Sequence, residues 1–314
     1  KVPHLKKGIG LASFMHGAGF TGSGESYLAS IVGLEATSKG NVLIKASSTE
    51  IGQGTNTIFT QICSQALKIG AENIKVERPD TSSVLTQVYC GSRTTMIVGI
   101  WWKRLRAHDF HLQSAGLLKS EYTEKDFKRA VKKYRDSFGS LKSYVQYKRP
   151  GDIFWDDEKY QGDAYPTYAW AIYAAEVTVN TLTYEVKVDH FVAIQEVGRV
   201  VHPTLAEGQI EGGVAQGIGF ALSEKVVYEN GAMKNNQMTN YIMYTSKDIP
   251  PIDVVFEEYN SDFGPSGAKG IGELPMDGPA PAIMNAVDMA LGGAPHFVPM
   301  LPEDLMEYME KKGE

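Results

Sequence analysis

Residues 168–196 read YAWAIYAAEVTVNTLTYEVKVDHFVAIQE. Tyr168–Asn180 and Tyr184–Glu196 are rich in β-branched and aromatic residues, and Asn180-Thr181-Leu182-Thr183 between them has turn chemistry. The stretch therefore predicts a hairpin of two long strands. Downstream, Pro203–Leu222 predicts a glycine-rich helix, Asn230-Gly231 a hairpin turn between Glu224–Tyr228 and Ala232–Lys234, and Asp253–Glu258 a strand. Ser261–Met276 then reads as a loop and Pro279–Leu291 as a last helix, while the tail beyond Pro295 is expected to fray or to dock on a partner.

Upstream of the hairpin, Gly8–Met15, Tyr27–Leu34 and Asn41–Ala46 predict short strands, with a turn at Ser38-Lys39-Gly40. Thr55–Ile69 carries Ile58, Ile62, Ala66 and Ile69 at helical spacing, and Ile74–Glu77 reads as a strand. Arg93 to about Leu118 predicts a second helix, and Glu124–Lys148 a charged helical excursion whose charge run reads as a solvated face. Strands and helices do not alternate as βαβ units require, so the fold class is α+β. Residues 1–314 are read as one module, with a division into two α+β subdomains left open.

The bulk numbers narrow the function. A net charge of −6 argues against a nucleic-acid partner, which calls for a basic face or stripe. The two cysteines, Cys63 and Cys90, are too few for an iron–sulfur cluster, which takes about four thiolates. No apolar run approaches the roughly 18 to 20 residues of a membrane span, so a soluble cytoplasmic protein with no membrane partner is expected. Glycine stands out, with 32 residues in clusters that let a backbone approach a ligand or a neighbouring element closely.

Four of these clusters bear on chemistry. Gly17-Ala18-Gly19-Phe20-Thr21-Gly22 matches the dinucleotide fingerprint, but the residues after it read as strands rather than a helix, so the expectation is a closing loop and no NAD(P) site. Ser47-Ser48-Thr49-Glu50-Ile51-Gly52-Gln53-Gly54 lies between a strand and a helix start, where free N–H groups suit an anion and Gln53 offers an amide; a simple capped turn reads equally well. Cys90-Gly91-Ser92-Arg93-Thr94-Thr95 enters a helix with three hydroxyls and one cation, suited to a pyrophosphate or to ordinary capping. Gly267-Ala268-Lys269-Gly270-Ile271-Gly272-Glu273-Leu274-Pro275 presents a carboxylate, Glu273, on tightly approaching backbone.

Taken in order, Ser48–Gly54, Ser92–Thr95, Val197–Pro203, Gln209–Glu224 and Gly267–Pro275 resemble the second half of the molybdenum-binding region of the xanthine dehydrogenase and aldehyde oxidase family. The resemblance runs collinearly from about Gly8 to Leu291. It implies that Glu273 is the general base at the molybdenum, where a carboxylate in a dry pocket has a pKa matched to the task. It further implies that Gln53, Gly54 and Gln209 lie around the pterin, that Ser92, Thr94 and Thr95 lie near its phosphates, and that Gly91 is close to the metal. The cofactor implied is molybdopterin cytosine dinucleotide, whose dithiolene holds the molybdenum without protein side chains. Glu196 and His202 depart from the Asp and Asn common in the family.

No first half of that region is legible here, which implies a second chain carrying the other half of the site. With it the resemblance implies partner subunits bearing Fe–S clusters and FAD, and an N-heteroaromatic substrate such as nicotinate, hydroxylated at ring carbon 6 with electrons passing to NADP. A purine- or aldehyde-oxidising relative, and an interaction subunit without catalysis, are the alternatives.

Overall fold

The computed structural model describes residues 3–28, 30–80, 93–99, 111–148 and 150–313. Two mixed four-stranded sheets, each with its own hydrophobic core, organise these residues. The fold is α+β.

The first sheet is built on the hairpin. Strands β8 (Thr167–Asn180) and β9 (Val186–Glu196) pair antiparallel, with a register shift between Glu176 and Val177. Strand β1 (Leu5–Ala18) adds antiparallel to β8, and β12 (Ile252–Glu257) adds parallel to β9, giving the order β1-β8-β9-β12. Alternation along β8 turns Ala169, Ala171, Tyr173, Ala175, Val177 and Val179 to one buried face. Helices α4 (Pro203–Leu222) and α6 (Pro279–Leu291) cover that face with Ile210, Val214, Ile218, Ile283 and Val287. Gly8 and Gly10 let β1 lie directly on α6: a Cβ on either would fall 2.0–2.1 Å from a carbonyl oxygen of that helix, Ala286 or Ala282. The opposite face of the sheet leaves Ile9, Leu11, Met15, Trp170 and Ile172 exposed.

The second sheet has the order β4-β3-β2-β5, from β2 (Ile31–Ala36), β3 (Val42–Lys45), β4 (Ile74–Val76) and β5 (Leu141–Gln146). Two short hairpins, β6 (Trp155–Asp156) with β7 (Gln161–Gly162) and β10 (Tyr228–Glu229) with β11 (Ala232–Met233), stand apart from both. Helix α2 (Thr55–Leu67) packs on it through Phe59, Ile62, Cys63 and Leu67. The predicted charged excursion resolves into two elements: helix α3 (Glu124–Phe138) and strand β5. Helix α3 starts in a Thr123/Asp126 capping box and buries Phe127, Ala130 and Val131, so its charge run hides an apolar stripe at helical spacing.

Three further expectations are corrected. The predicted strand from Tyr27 begins instead with a short helix, α1 (Gly24–Leu28), because Glu25 turns inward to a buried partner. The predicted helix from Arg93 opens as a π-helical turn, Thr94–Val98, and much of the remainder lies outside the described residues. The tail forms helix α7 (Pro302–Lys312) and docks on this chain's own core through Leu305 and Met309, with the Met300 N–H donating to Ala221 O at 2.7 Å. No described helix is long and apolar enough to cross a membrane.

The close approach of β1 to α6 is testable. Gly10→Val is expected to cost about 2–3 kcal/mol or more of stability by overpacking, whereas Ser13→Val on the outward face should stay within about 0.5 kcal/mol. Urea unfolding midpoints of the two variants measure the difference.

Candidate functional site

Where the two cores meet, a cleft of about 120 Å³ opens to solvent. Gln53 lines it from the turn before α2 and Thr55 from the first residue of that helix, Thr94 and Thr95 from the π-helical turn, Gln209 and Leu205 from α4, and Gly270 to Gly272 from the segment leading to Glu273. Residues from four segments, the outermost being Gln53 and Gly272, thus face one space.

Two loops form its floor and are joined to each other. Gly198 bridges Ala268, Arg199 N–H donates to Gly267 O at 3.1 Å, and Lys269 N–H donates to Val197 O at 2.9 Å. Beneath them Lys269, only 6% exposed, places its ammonium 2.5 Å from Glu196 Oε2 and donates to Tyr168 O at 2.8 Å. The other Glu196 oxygen accepts the Gly198 N–H at 2.8 Å. Glu196 is therefore a structural anchor of the floor. His202 caps α4, its Nδ1 accepting the Leu205 N–H at 3.3 Å.

The Ser47–Gly54 turn differs from the expected open anion site. Glu50 fills it with its own carboxylate, which accepts N–H groups from Gly52 (2.9 Å), Gly54 (3.1 Å) and Asn56 (2.9 Å). Burial pushes the Glu50 carboxyl up, but these three donors outweigh it and the net direction is down. Gln53 is pinned in turn: Oε1 accepts Ile51 N–H, and Nε2 donates to Thr49 O and Thr55 Oγ1, each at 2.8 Å. Gly54 lies against the cleft residue Leu205, where a Cβ would come within 2.6 Å.

Arg93 is likewise not free charge beside the hydroxyls. It is 1% exposed, its Nε donates to Glu25 Oε2 at 3.0 Å, and a guanidinium nitrogen bonds the second Glu25 oxygen and Ser30. This buried pair fastens the residue that precedes Thr94. Cys90, Gly91 and Ser92 lie outside the described residues.

Glu273 sits immediately before the short helix α5 (Leu274–Asp277). That helix packs under α4 because Gly213 carries no Cβ, which would lie 2.4 Å from Pro275 Cβ. The Glu273 side chain is 55% exposed and is not among the residues lining the cleft, although it follows Gly272, which is; it meets His16 Nε2 at 3.2 Å. His16 Nδ1 contacts Asp277 at 2.8 Å. The bond to Asp277 is the main reason the imidazole keeps its proton above its ordinary value; burial opposes this, and the charges of Asp277 and Glu273 add to it. His16, Asp277, Arg199 and Lys269 were given no role from sequence. For His16 a signal existed, since strand alternation from Gly8 and Gly10 puts position 16 on the inward face.

The Gly17–Gly22 loop has no βαβ context: β1 and β2 belong to different sheets. Its glycines make room for aromatic rings. A Cβ at Gly17 would lie 2.3 Å from the Tyr165 ring, and one at Gly22 2.4 Å from Trp155.

The model of the molybdopterin cofactor-binding domain matches residues 1–250. The chain is 26% identical to the xanthine dehydrogenase molybdenum-binding subunit of Escherichia coli O157:H7, over 99% of this chain and 43% of that protein. It is 28% identical to the nicotine 6-hydroxylase large subunit of Paenarthrobacter nicotinovorans, over 95% of this chain and 40% of the relative. Among solved structures, the aldehyde oxidoreductase of Desulfovibrio desulfuricans superposes with a TM-score of 0.83 at 28% identity, covering 98% of this chain and 32% of that one. The chain thus spans less than half the length of each.

The buried Arg93–Glu25 pair gives this site a stability signature. Arg93→Met, which strands the Glu25 carboxylate, is expected to cost about 3–5 kcal/mol, and adding Glu25→Leu should restore most of it. Urea unfolding of the single and double variants checks both directions.

Proposed function

The chain belongs to the molybdopterin cofactor-binding domain family, and on that premise we propose that it supplies one part of a molybdenum hydroxylase active site with Glu273 as general base. The observation that carries this reading is the convergence of Gln53, Thr94, Thr95, Gln209 and Gly272 on one cleft, with Glu273 the next residue along the chain. The lining suits a large anionic cofactor with a planar heterocycle. The Thr94 and Thr95 hydroxyls, the Gln209 amide and the Arg199 cation meet phosphate and pterin polar groups, while Ile58, Val200 and Leu205 give apolar walls.

In this reading Thr94 and Thr95 hold the phosphates, with Gln53, Gly54 and Gln209 around the pterin and Gly91 and Ser92 completing the set. The cofactor in this reading is the cytosine dinucleotide form of molybdopterin, which when bound would supply the metal and the redox chemistry that side chains lack. Glu273 takes a proton at a carboxylate oxygen from the water whose oxygen enters the product. General-base catalysis needs a positioned carboxylate shielded from bulk water, and at 55% exposure Glu273 has cover on one side only. The remainder comes from the part of the molybdenum protein that relatives carry beyond the matched span. The exposed apolar face with Ile9, Leu11, Met15, Trp170 and Ile172 is the kind of surface that part would cover.

The substrate in this reading is an electron-poor N-heteroaromatic, best nicotinate converted to 6-hydroxynicotinate, as in the medium molybdopterin subunit of nicotinate dehydrogenase. The similarity to a nicotine 6-hydroxylase supports a ring substrate. Electrons leave through Fe–S and FAD subunits to NADP. The whole assembly is cytoplasmic.

Glu273→Gln in the assembled complex is expected to lower turnover about 10²- to 10⁴-fold with molybdenum content unchanged. Gln209→Leu should instead lower the molybdenum retained per complex. Elemental analysis with steady-state kinetics separates the two; a fully loaded Glu273→Gln complex with wild-type turnover removes the assigned role.

A further inference from the structure

The short helix α5 and the residue before it present two carboxylates four positions apart, Glu273 and Asp277, and an inward-facing histidine of β1 reaches between them. Resting on the assignment of Glu273 as the base, we propose that His16, oriented by Asp277, is the positioning residue that holds the Glu273 carboxylate at the cleft edge.

The distances and the ring's proton inventory carry the argument. Nδ1 lies 2.8 Å from Asp277 Oδ2 and Nε2 lies 3.2 Å from Glu273 Oε2. Both contacts are hydrogen bonds only when both ring nitrogens carry protons, that is, in the imidazolium. In the neutral ring the single proton stays on Nδ1, where the shorter contact to Asp277 holds it. The Nε2 lone pair then faces a carboxylate oxygen, and the attraction to Glu273 is lost. Asp277 thus fixes the tautomer and ring plane, as a carboxylate does for a histidine that acts on a third group.

The charges that act on His16 among the described residues are those of Asp277 and Glu273. Across the sheet its neighbour is Ala169, and Tyr173 on β8 senses Asp277 from beneath. With the imidazole's proton affinity raised, the clamp is in place below the elevated value and is lost as pH rises through it. The half-buried ring is 24% exposed, so it exchanges its proton with solvent directly.

A purely structural His–Asp pair would not couple ring protonation to turnover, and this distinguishes the two roles. The experiment uses the assembled molybdenum complex and the N-heteroaromatic that the native complex oxidises. Asp277→Asn is expected to move the basic limb of the kcat–pH profile toward lower pH by about one unit, with molybdenum content and KM unchanged. His16→Gln should lower kcat about ten- to a hundredfold through misplacement of the base and abolish that limb. Crystal structures of the wild-type complex at about pH 6 and about pH 9 should show the Glu273 carboxylate on His16 Nε2 in the first and turned from it in the second. The inference is overturned if Asp277→Asn and His16→Gln keep the wild-type profile, or if the carboxylate stays on Nε2 at both pH values, while Glu273→Gln is inactive. Wild-type turnover by Glu273→Gln overturns the base assignment itself.

Discussion

The buried ion pair between Lys269 and Glu196 is the constraint on which the cleft depends. An unpaired ammonium at 6% exposure costs several kcal/mol, so Lys269 must stay with Glu196 and the Tyr168 carbonyl. Those partners are the end of β9 and the start of β8, the two ends of one hairpin that lie side by side in the sheet. Lys269 thereby ties the Gly267–Gly272 segment to the best-buried strands of the molecule. Glu273 follows three residues after Gly270, so its backbone is placed by a sheet rather than by a mobile loop. A base built this way needs little reorganisation at the moment of reaction.

Close backbone approach does the remaining positioning. Gly8 and Gly10 seat α6 on β1, Gly213 seats Pro275 under α4, and Gly54 seats the α2 turn on Leu205. Each contact moves an element that carries a cleft or edge residue, so the glycine clusters serve packing between elements more than contact with a ligand. This is why they stand out in the composition although they are scattered from Gly8 to Gly313.

What the sequence revealed follows from the range of the forces involved. The β8–β9 hairpin, α4 and α6 were legible because local pattern and tertiary burial agree there; α4 and α6 begin and end at Pro203, Leu222, Pro279 and Leu291 as read. The helix from Glu124 was legible, but its end was not: Leu141–Gln146 was read as its continuation because β5 is set by pairing with β2 over a hundred residues away. The α1 region was misread for a similar reason: Glu25 turns inward to Arg93, 68 positions on, and no window of local sequence contains both. Of the site, the convergence of Gln53, Thr94, Thr95 and Gln209 was legible as a collinear resemblance, whereas the His16–Asp277 contact spans 261 positions and has no local trace beyond strand alternation.

Three loops in this chain look like anion sites by composition, and their fillings separate them. The Gly17–Gly22 loop is packed by the Tyr165 and Trp155 rings, and the Gly22 N–H is taken by the Ala164 carbonyl at 2.7 Å. The Gly52–Gly54 turn is filled by the Glu50 carboxylate, which already uses three of its N–H groups. An external phosphate at either would have to displace an interaction the chain supplies to itself and meet a carboxylate at the second. The Thr94–Thr95 hydroxyls differ, because the neighbouring cation is neutralised by Glu25 inside the core while the threonines line the cleft. Arg93 therefore gives rigidity rather than charge, Lys269 is neutralised by Glu196 in the same way, and of the cations lining the cleft Arg199 is the exposed one. That division explains why a glycine-rich motif count alone points to the wrong loop: occupancy by the chain's own groups, rather than the spacing of glycines, decides which backbone is left for a ligand.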